Sequence, residues 1–446
     1  MIEQYMDILE KREKECECME DIRSYAQEEN NKIIEEKIKD CNIIKKYIRL
    51  PIEVENNNEY INKLKDILKE YKENICEAEK LKTEKGLIGE VTDICDSIIS
   101  VLQDLESEKI EDIDDKVKNI LSRYIKNEFI VSELDNSYAF RGVSRFDNLK
   151  TEGVIYEKEY KNMSEKELSF FRARVVKKEE NISNIKDIIS LPFSKKNLSN
   201  DLRFSMKNEI CLYLGVTSHV CSMECNYEFE KNTENKLYLS AFKFNSKGKK
   251  LKVLNLALPF LLISGLTEYY CENPEKKFLQ NILIKIMPLV ISTSFTIKDE
   301  DKNRKKYEYL LSQSIIRVIK ELDIDGVAYL SKRAENDSKS IYEANLAIPM
   351  KDIGEYKEYS DLYNYISCTK PVLVTEKIFN YEGKERSYVN ECYSDHESNE
   401  ILDSNRQINC DGEIKFYKDT YYSNIDDYLV NQEFYELNSD ELNSHI

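Results

Sequence analysis

Between Leu202 and Cys225 the chain reads LRFSMKNEICLYLGVTSHVCSMEC, which spaces an arginine, a tyrosine and a glutamate (Arg203, Tyr213 and Glu224) ten and eleven residues apart. A guanidinium, a phenol ring and a carboxylate supply a permanent cation, an aromatic face and an anion, the groups that grip charged ligands and steady developing charge. Taken singly, each is more simply read as packing or as solvated surface. The elements that position them therefore matter. Alternation along ICLYLG puts Ile210, Leu212 and Leu214 on one face of a strand and Cys211 and Tyr213 on the other, so Tyr213 is expected to point away from the apolar side. Gly215 breaks the strand, Thr217 or Ser218 can cap a helix, and the three-residue step from Cys221 brings Glu224 onto the same helical face. A strand-turn-helix thus presents a tyrosine and a carboxylate near one another.

The surrounding chain divides by texture. Residues 1–130 contain one proline and two glycines, and their apolar residues recur at three and four, as in Ile61, Leu64, Ile67, Leu68 and in Ile94, Ile98, Leu102, Leu105. That predicts an all-α domain, the more acidic part of the chain, suited to scaffolding, assembly or sensing. From about residue 131, β-rich runs such as KLYLSAFKF alternate with helical ones such as YEYLLSQSIIRVIKEL, which predicts an α+β domain to about residue 375. Residues 376–446 form a Tyr-rich extension, expected to add strands packed on that domain. The run KDEDKNRKK (298–306) reads as a solvated loop.

Composition excludes several classes. With 446 residues, 41% of them hydrophobic, the chain can bury a sizeable core in two or three domains. A net charge of −18 makes nucleic acid and acidic membrane surfaces poor partners. The N-terminus MIEQYMDILEKREKECEC has no apolar signal-peptide region. The longest apolar stretch, VLNLALPFLLISG, is too short to span a bilayer. Twelve dispersed cysteines fit a reducing compartment, and the cytoplasm is the expected location. No phosphate loop, dinucleotide fingerprint, nucleophile elbow or zinc-ligand spacing occurs. The first histidine is His219, so residues 1–218 have no imidazole for a histidine-dependent nuclease.

Five short motifs in order, FFRAR (170–174), SLPFSKKNLSNDLRFS (190–205), CLYLGVTSHVCSMEC (211–225), PLVISTSF (288–295) and DGVAYLS (325–331), together resemble the RES-domain family, named for its arginine, glutamate and serine. The resemblance covers roughly residues 165–370. FRGVSRF (140–146) looks like a second arginine motif, but no strand pattern follows it at the right distance.

The resemblance implies an ADP-ribosyltransferase-like mixed β core and NAD+ as substrate, with no tightly bound cofactor and no metal. Family members break the nicotinamide–ribose bond or move ADP-ribose to a target, and many are bacterial toxins restrained by a partner or a trigger. On this reading Glu224 stabilises an oxocarbenium-like transition state, as carboxylates do in glycosidases. Arg172 and Arg203 grip the diphosphate, with Arg174 as the alternative to Arg172. Tyr213 stacks on the nicotinamide ring, and Ser331 donates a hydrogen bond to ribose or to the nicotinamide amide. The chain departs from the compact family members in the long separation of Glu224 from Ser331, readable as a lid or partner surface, and in Cys225 after the glutamate. The expected function is a latent NAD+-degrading toxin or anti-phage effector, homo-oligomeric and with an inhibitory or activating partner at the helical domain. The alternatives are an ADP-ribosyltransferase acting on a macromolecule and a non-catalytic nucleotide- or protein-binding assembly protein.

Overall fold

The two apolar stripes expected in the first 130 residues, Ile61–Leu68 and Ile94–Leu105, are realised as buried faces of two long helices in a computed structural model of the chain. The structure describes residues 50–78, 84–107, 112–140, 168–229, 234–245, 250–257, 274–298, 304–333, 340–351, 357–381 and 407–444, with Tyr47, Leu81, Lys231 and Asn232 beside them. In chain order the elements begin with β1 (Ile52–Val54), α1 (Asn57–Glu77), α2 (Lys85–Glu106), α3 (Ile113–Ser122), β2 (Val131–Glu133), β3 (Phe170–Lys177), β4 (Cys211–Gly215) and α4 (Ser218–Glu224). They continue with β5 (Asn235–Phe244), β6 (Lys252–Asn255), α5 (Pro274–Ser292), β7 (Phe295–Ile297), α6 (Tyr307–Ile319), β8 (Gly326–Leu330) and β9 (Ala344–Pro349). The last are β10 (Ile366–Thr369), β11 (Val372–Leu373), α7 (Glu376–Phe379), β12 (Gln407–Cys410), β13 (Glu413–Phe416), α8 (Tyr421–Val430), β14 (Phe434–Glu436) and α9 (Ser439–Asn443).

The architecture is α+β. Nine strands line up in the order β14-β10-β5-β3-β4-β9-β8-β6-β2, and β11 pairs separately with β5. Along this order only β6 and β8 run parallel. One face of the sheet, carrying Phe170, Leu212, Leu214, Phe242, Val253, Leu346 and Ile348, forms a single apolar layer. The opposite face is divided. Leu254, Val327, Tyr329 and Ala347 join the helices α1, α2, α3, α5 and α6, whereas Phe171, Leu237, Leu239 and Ala241 pack with α4 and the C-terminal segment.

The expected boundary at residue 130 does not separate two buried clusters, since residues on both sides of it share one. Nor is the N-terminal part all-α: β1 pairs in parallel with β7. Two tyrosines fasten it to α5. Pro288 has no N–H to give to the carbonyl one turn back; the Tyr71 hydroxyl donates to that Ile284 carbonyl at 2.8 Å, and Tyr124 donates to Lys285 O at 2.8 Å. The C-terminal half of α5, expected within a lid or partner surface, is instead buried core between these helices and the sheet. From the run read as a solvated loop, Arg304 folds back on buried Glu308 in a two-bond pair at 2.6 and 2.9 Å. The C-terminal extension supplies more than strands: β14 extends the sheet beside β10, and α8 lies against α4. Among the described residues no helix is long and apolar enough to cross a membrane.

Candidate active site

Gly215 closes β4 and makes the site's geometry feasible. A Cβ there would stand 2.4 Å from Val220 Cγ1 and 2.7 Å from Cys221 Sγ, so only glycine lets α4 fold back this tightly over the strand. Thr217 caps α4 by accepting from the Val220 N–H at 3.2 Å. Glu224 is the last helical residue and reaches across the ends of β8 and β9. Its Oε1 accepts from Ser331 Oγ at 2.8 Å and from Asn345 Nδ2 at 2.9 Å, and its Oε2 lies 3.5 Å from Arg333 Nε. Ser331 and Asn345 are themselves buried, while the Glu224 side chain stays 37% exposed, so the carboxylate is held from beneath and open above.

Arg203 arrives at the same face from the loop before β4. Its guanidinium stands 4.9 Å over the Tyr329 ring and 5.1 Å over Phe204. Its Nη1 donates to Leu330 O at 2.9 Å, one residue from Ser331, and its Nη2 lies 3.4 Å from Ser294 Oγ. The residue is only 9% exposed, and its Nε has no hydrogen-bond partner among the described residues. Burial pulls its pKa down to about 10, against the opposing pull of Tyr329 and Glu224, so the guanidinium stays charged at neutral pH. The loop is braced: Gln313 donates to Leu202 O at 3.2 Å and to Ser205 O at 3.3 Å.

Tyr213 takes the side of β4 that alternation predicts. It lies on the face opposite Leu212 and Leu214, but that face is covered too, and Tyr213 packs against the helical core. Its hydroxyl accepts from the Phe204 N–H at 3.2 Å and donates to Ser205 Oγ at 3.0 Å. It thereby fixes the loop that carries Arg203. Alternation says which face a side chain takes, not whether that face is covered, and a strand deep in a sheet can be packed on both faces.

Beyond the single pair Phe171–Gly215, β3 and β4 part, and Arg172 spans the gap by donating from Nη1 to Tyr213 O at 2.9 Å. It is close enough to the end of α4 to oppose the rise that burial imposes on the Cys225 thiol. Arg174 shares the face of Arg172 but goes elsewhere: it is exposed and bonds the Asp187 carbonyl. Of the six residues singled out from sequence, Glu224, Ser331 and Arg203 meet, Tyr213 and Arg172 border them, and Arg174 does not join. Arg141 and Arg145 of FRGVSRF lie outside the described residues.

Four neighbours went unnoticed in the sequence. Asn345 sits opposite both Gly215 and Tyr329 in the sheet register, and a polar residue inside the apolar run ANLAIP was the available signal. Lys332 and Arg333 follow the strand-end serine directly. Lys332 donates to Phe295 O and lies 4.9 Å over the Tyr309 ring; burial, then the nearby Arg203, holds its pKa well below the usual lysine range. Asp426 on α8 accepts from the Ser218 N–H at 2.9 Å, at the opposite end of α4 from Glu224.

No protein-family model matches the chain, and no solved structure matches it. It is similar to a Bacillus subtilis (strain 168) protein named "Putative toxin YopC", with 25% identity over 209 residues. The match takes in 46% of this chain and 46% of that protein, so the chain spans about half the length of the relative it matches.

Proposed function

We propose that the chain is an NAD+-cleaving enzyme of the RES-domain type, with an ADP-ribosyltransferase-like core, and that it acts as a latent toxin. The toxin part draws on the name of the Bacillus subtilis relative. The observation that carries the enzymatic part is the Glu224 carboxylate, aimed by two buried donors, Ser331 and Asn345, and left open on its outer side. A carboxylate meant only for the surface has no need of two buried donors.

In the reaction, the bond between ribose C1′ and the nicotinamide nitrogen breaks, and the electron pair leaves with nicotinamide, which becomes neutral. Positive charge then develops on the ribose, and a fixed carboxylate beside it stabilises the transition state more than the ground state. Water adds to C1′ and releases a proton. Arg203 holds the anionic part of the substrate, Tyr213 keeps the Arg203 loop in place, and Ser331 orients Glu224. A partner gripping α1–α3 would act on this site through the shared core. The test is to incubate the purified full-length chain with NAD+ and follow free nicotinamide. Release that is linear in enzyme concentration supports the reading, and none, under any condition in which the chain is toxic to cells, refutes it.

A further inference from the structure

Arg203, from the loop before β4, and Lys332, just past the end of β8, place their heads on adjacent residues. Arg203 Nη2 reaches Ser294 Oγ at 3.4 Å, and Lys332 Nζ donates to Phe295 O. Each leans on an aromatic ring, Tyr329 and Tyr309 respectively, at 4.9 Å. Two carboxylates face them, and each already has its own cation: Glu308 holds Arg304 by two bonds, and Glu224 lies beside Arg333. With Lys332 protonated, as an anion bound beside it would keep it, these six groups count four cations against two anions. Among the described residues, the hydrogen bonds of Arg203 and Lys332 go to carbonyls and a hydroxyl, and the Arg203 Nε has none. Burying like charges together is unfavourable unless an anion joins them. In a chain of net charge −18 such a surplus is out of keeping with the rest of the molecule.

We propose that Arg203 and Lys332 form one subsite for a dianion of the diphosphate class, and that Lys332, not Arg172, is the second donor. Arg172 is committed to the Tyr213 carbonyl in the gap between β3 and β4. The identity of the dianion as the substrate's diphosphate rests on the reading of the site as one for NAD+. The subsite itself does not.

The probe is inorganic pyrophosphate, titrated into the full chain by calorimetry, with ADP-ribose as competitor. Wild type should bind pyrophosphate and lose it to ADP-ribose. Lys332→Gln should weaken pyrophosphate binding by roughly tenfold or more, as loss of a charge-assisted bond does. Arg172→Lys should stay within about twofold of wild type. Should Lys332→Gln fail to fold, Arg203→Lys serves in its place, since it keeps the charge but loses the fork and Nε; the same tenfold loss is expected. No binding by wild type, equal binding by the Lys332 or Arg203 variant, or a larger loss at Arg172 overturns the subsite. Failure of ADP-ribose to compete overturns its assignment to the substrate. Pyrophosphate binding without nicotinamide release would refute the enzymatic reading alone, and release without pyrophosphate binding would refute this one alone.

Discussion

The two ends of α4 are built in opposite ways. Its first turn is buried and saturated: Thr217 caps it, the Asp426 carboxylate takes the Ser218 N–H at 2.9 Å and also the Tyr417 hydroxyl, and Ser218 Oγ donates to Tyr422 O at 3.2 Å. His219 sits here with both ring nitrogens unpartnered among the described residues, its ring centre 4.8 Å from that of Tyr422 in an edge-on contact. Burial holds its pKa down to about 4, so it behaves as a neutral core aromatic. The last turn instead sends Glu224 out, partly exposed, beside Arg333. The anchored end keeps the open end still. Pre-organised charge of this kind needs a rigid support, and here the C-terminal extension supplies it.

The largest test of this contrast removes the other support. A fragment beginning near residue 131 should not fold, because it strips the helices from one face of the sheet and leaves Ile284 O and Lys285 O without Tyr71 and Tyr124. Circular dichroism and a denaturant melt will show this; a cooperative transition in the fragment would mean that the bundle is a separate module after all.

Next in size is the anchored end itself. Asp426→Ala strands the Ser218 N–H and the Tyr417 hydroxyl in a buried setting, for an expected loss of roughly 2–3 kcal/mol. Asp426→Asn keeps an acceptor for Ser218 and should cost less. Burial raises the Asp426 carboxyl to about 7. A carboxyl raised above its unfolded value of roughly 3.9 contributes stability that is complete below that value and lost as pH rises through the folded one. Wild type should therefore lose stability between about pH 4 and 7 in a component that Asp426→Asn lacks. Parallel pH profiles of the two proteins would rule that component out.

The smallest effect belongs to Arg174, exposed and tied only to the Asp187 carbonyl. Arg174→Ala should change stability by no more than about 0.5 kcal/mol, as surface substitutions usually do. Nicotinamide release should stay within about twofold of wild type. A deeper loss would move the substrate to the far side of β3.

Local patterns carried much of this arrangement. ICLYLG with its closing glycine, and a cap at Thr217 or Ser218, were enough to predict a strand and helix presenting Glu224, because the forces involved act within a few residues. Alternation placed Tyr213 on the face opposite Leu212 and Leu214, but the covering of that face depends on helices more than sixty residues away in sequence. Near residue 130 the change of texture marks a change of secondary structure, while buried residues from both sides pack together. Lys332 was hidden by its plainness: a lysine after a strand end has no periodic signature, and only the fold brings it to Arg203. Asp426 lies some two hundred residues from the helix it caps.

The most direct measurement compares nicotinamide release by wild type and Glu224→Gln at matched melting temperature. The amide is nearly isosteric, so the fold should persist, while loss of one aimed charge should lower turnover by at least ~10²-fold with substrate affinity little changed. A variant that releases nicotinamide within about threefold of wild type would contradict the assignment of Glu224 to the chemistry.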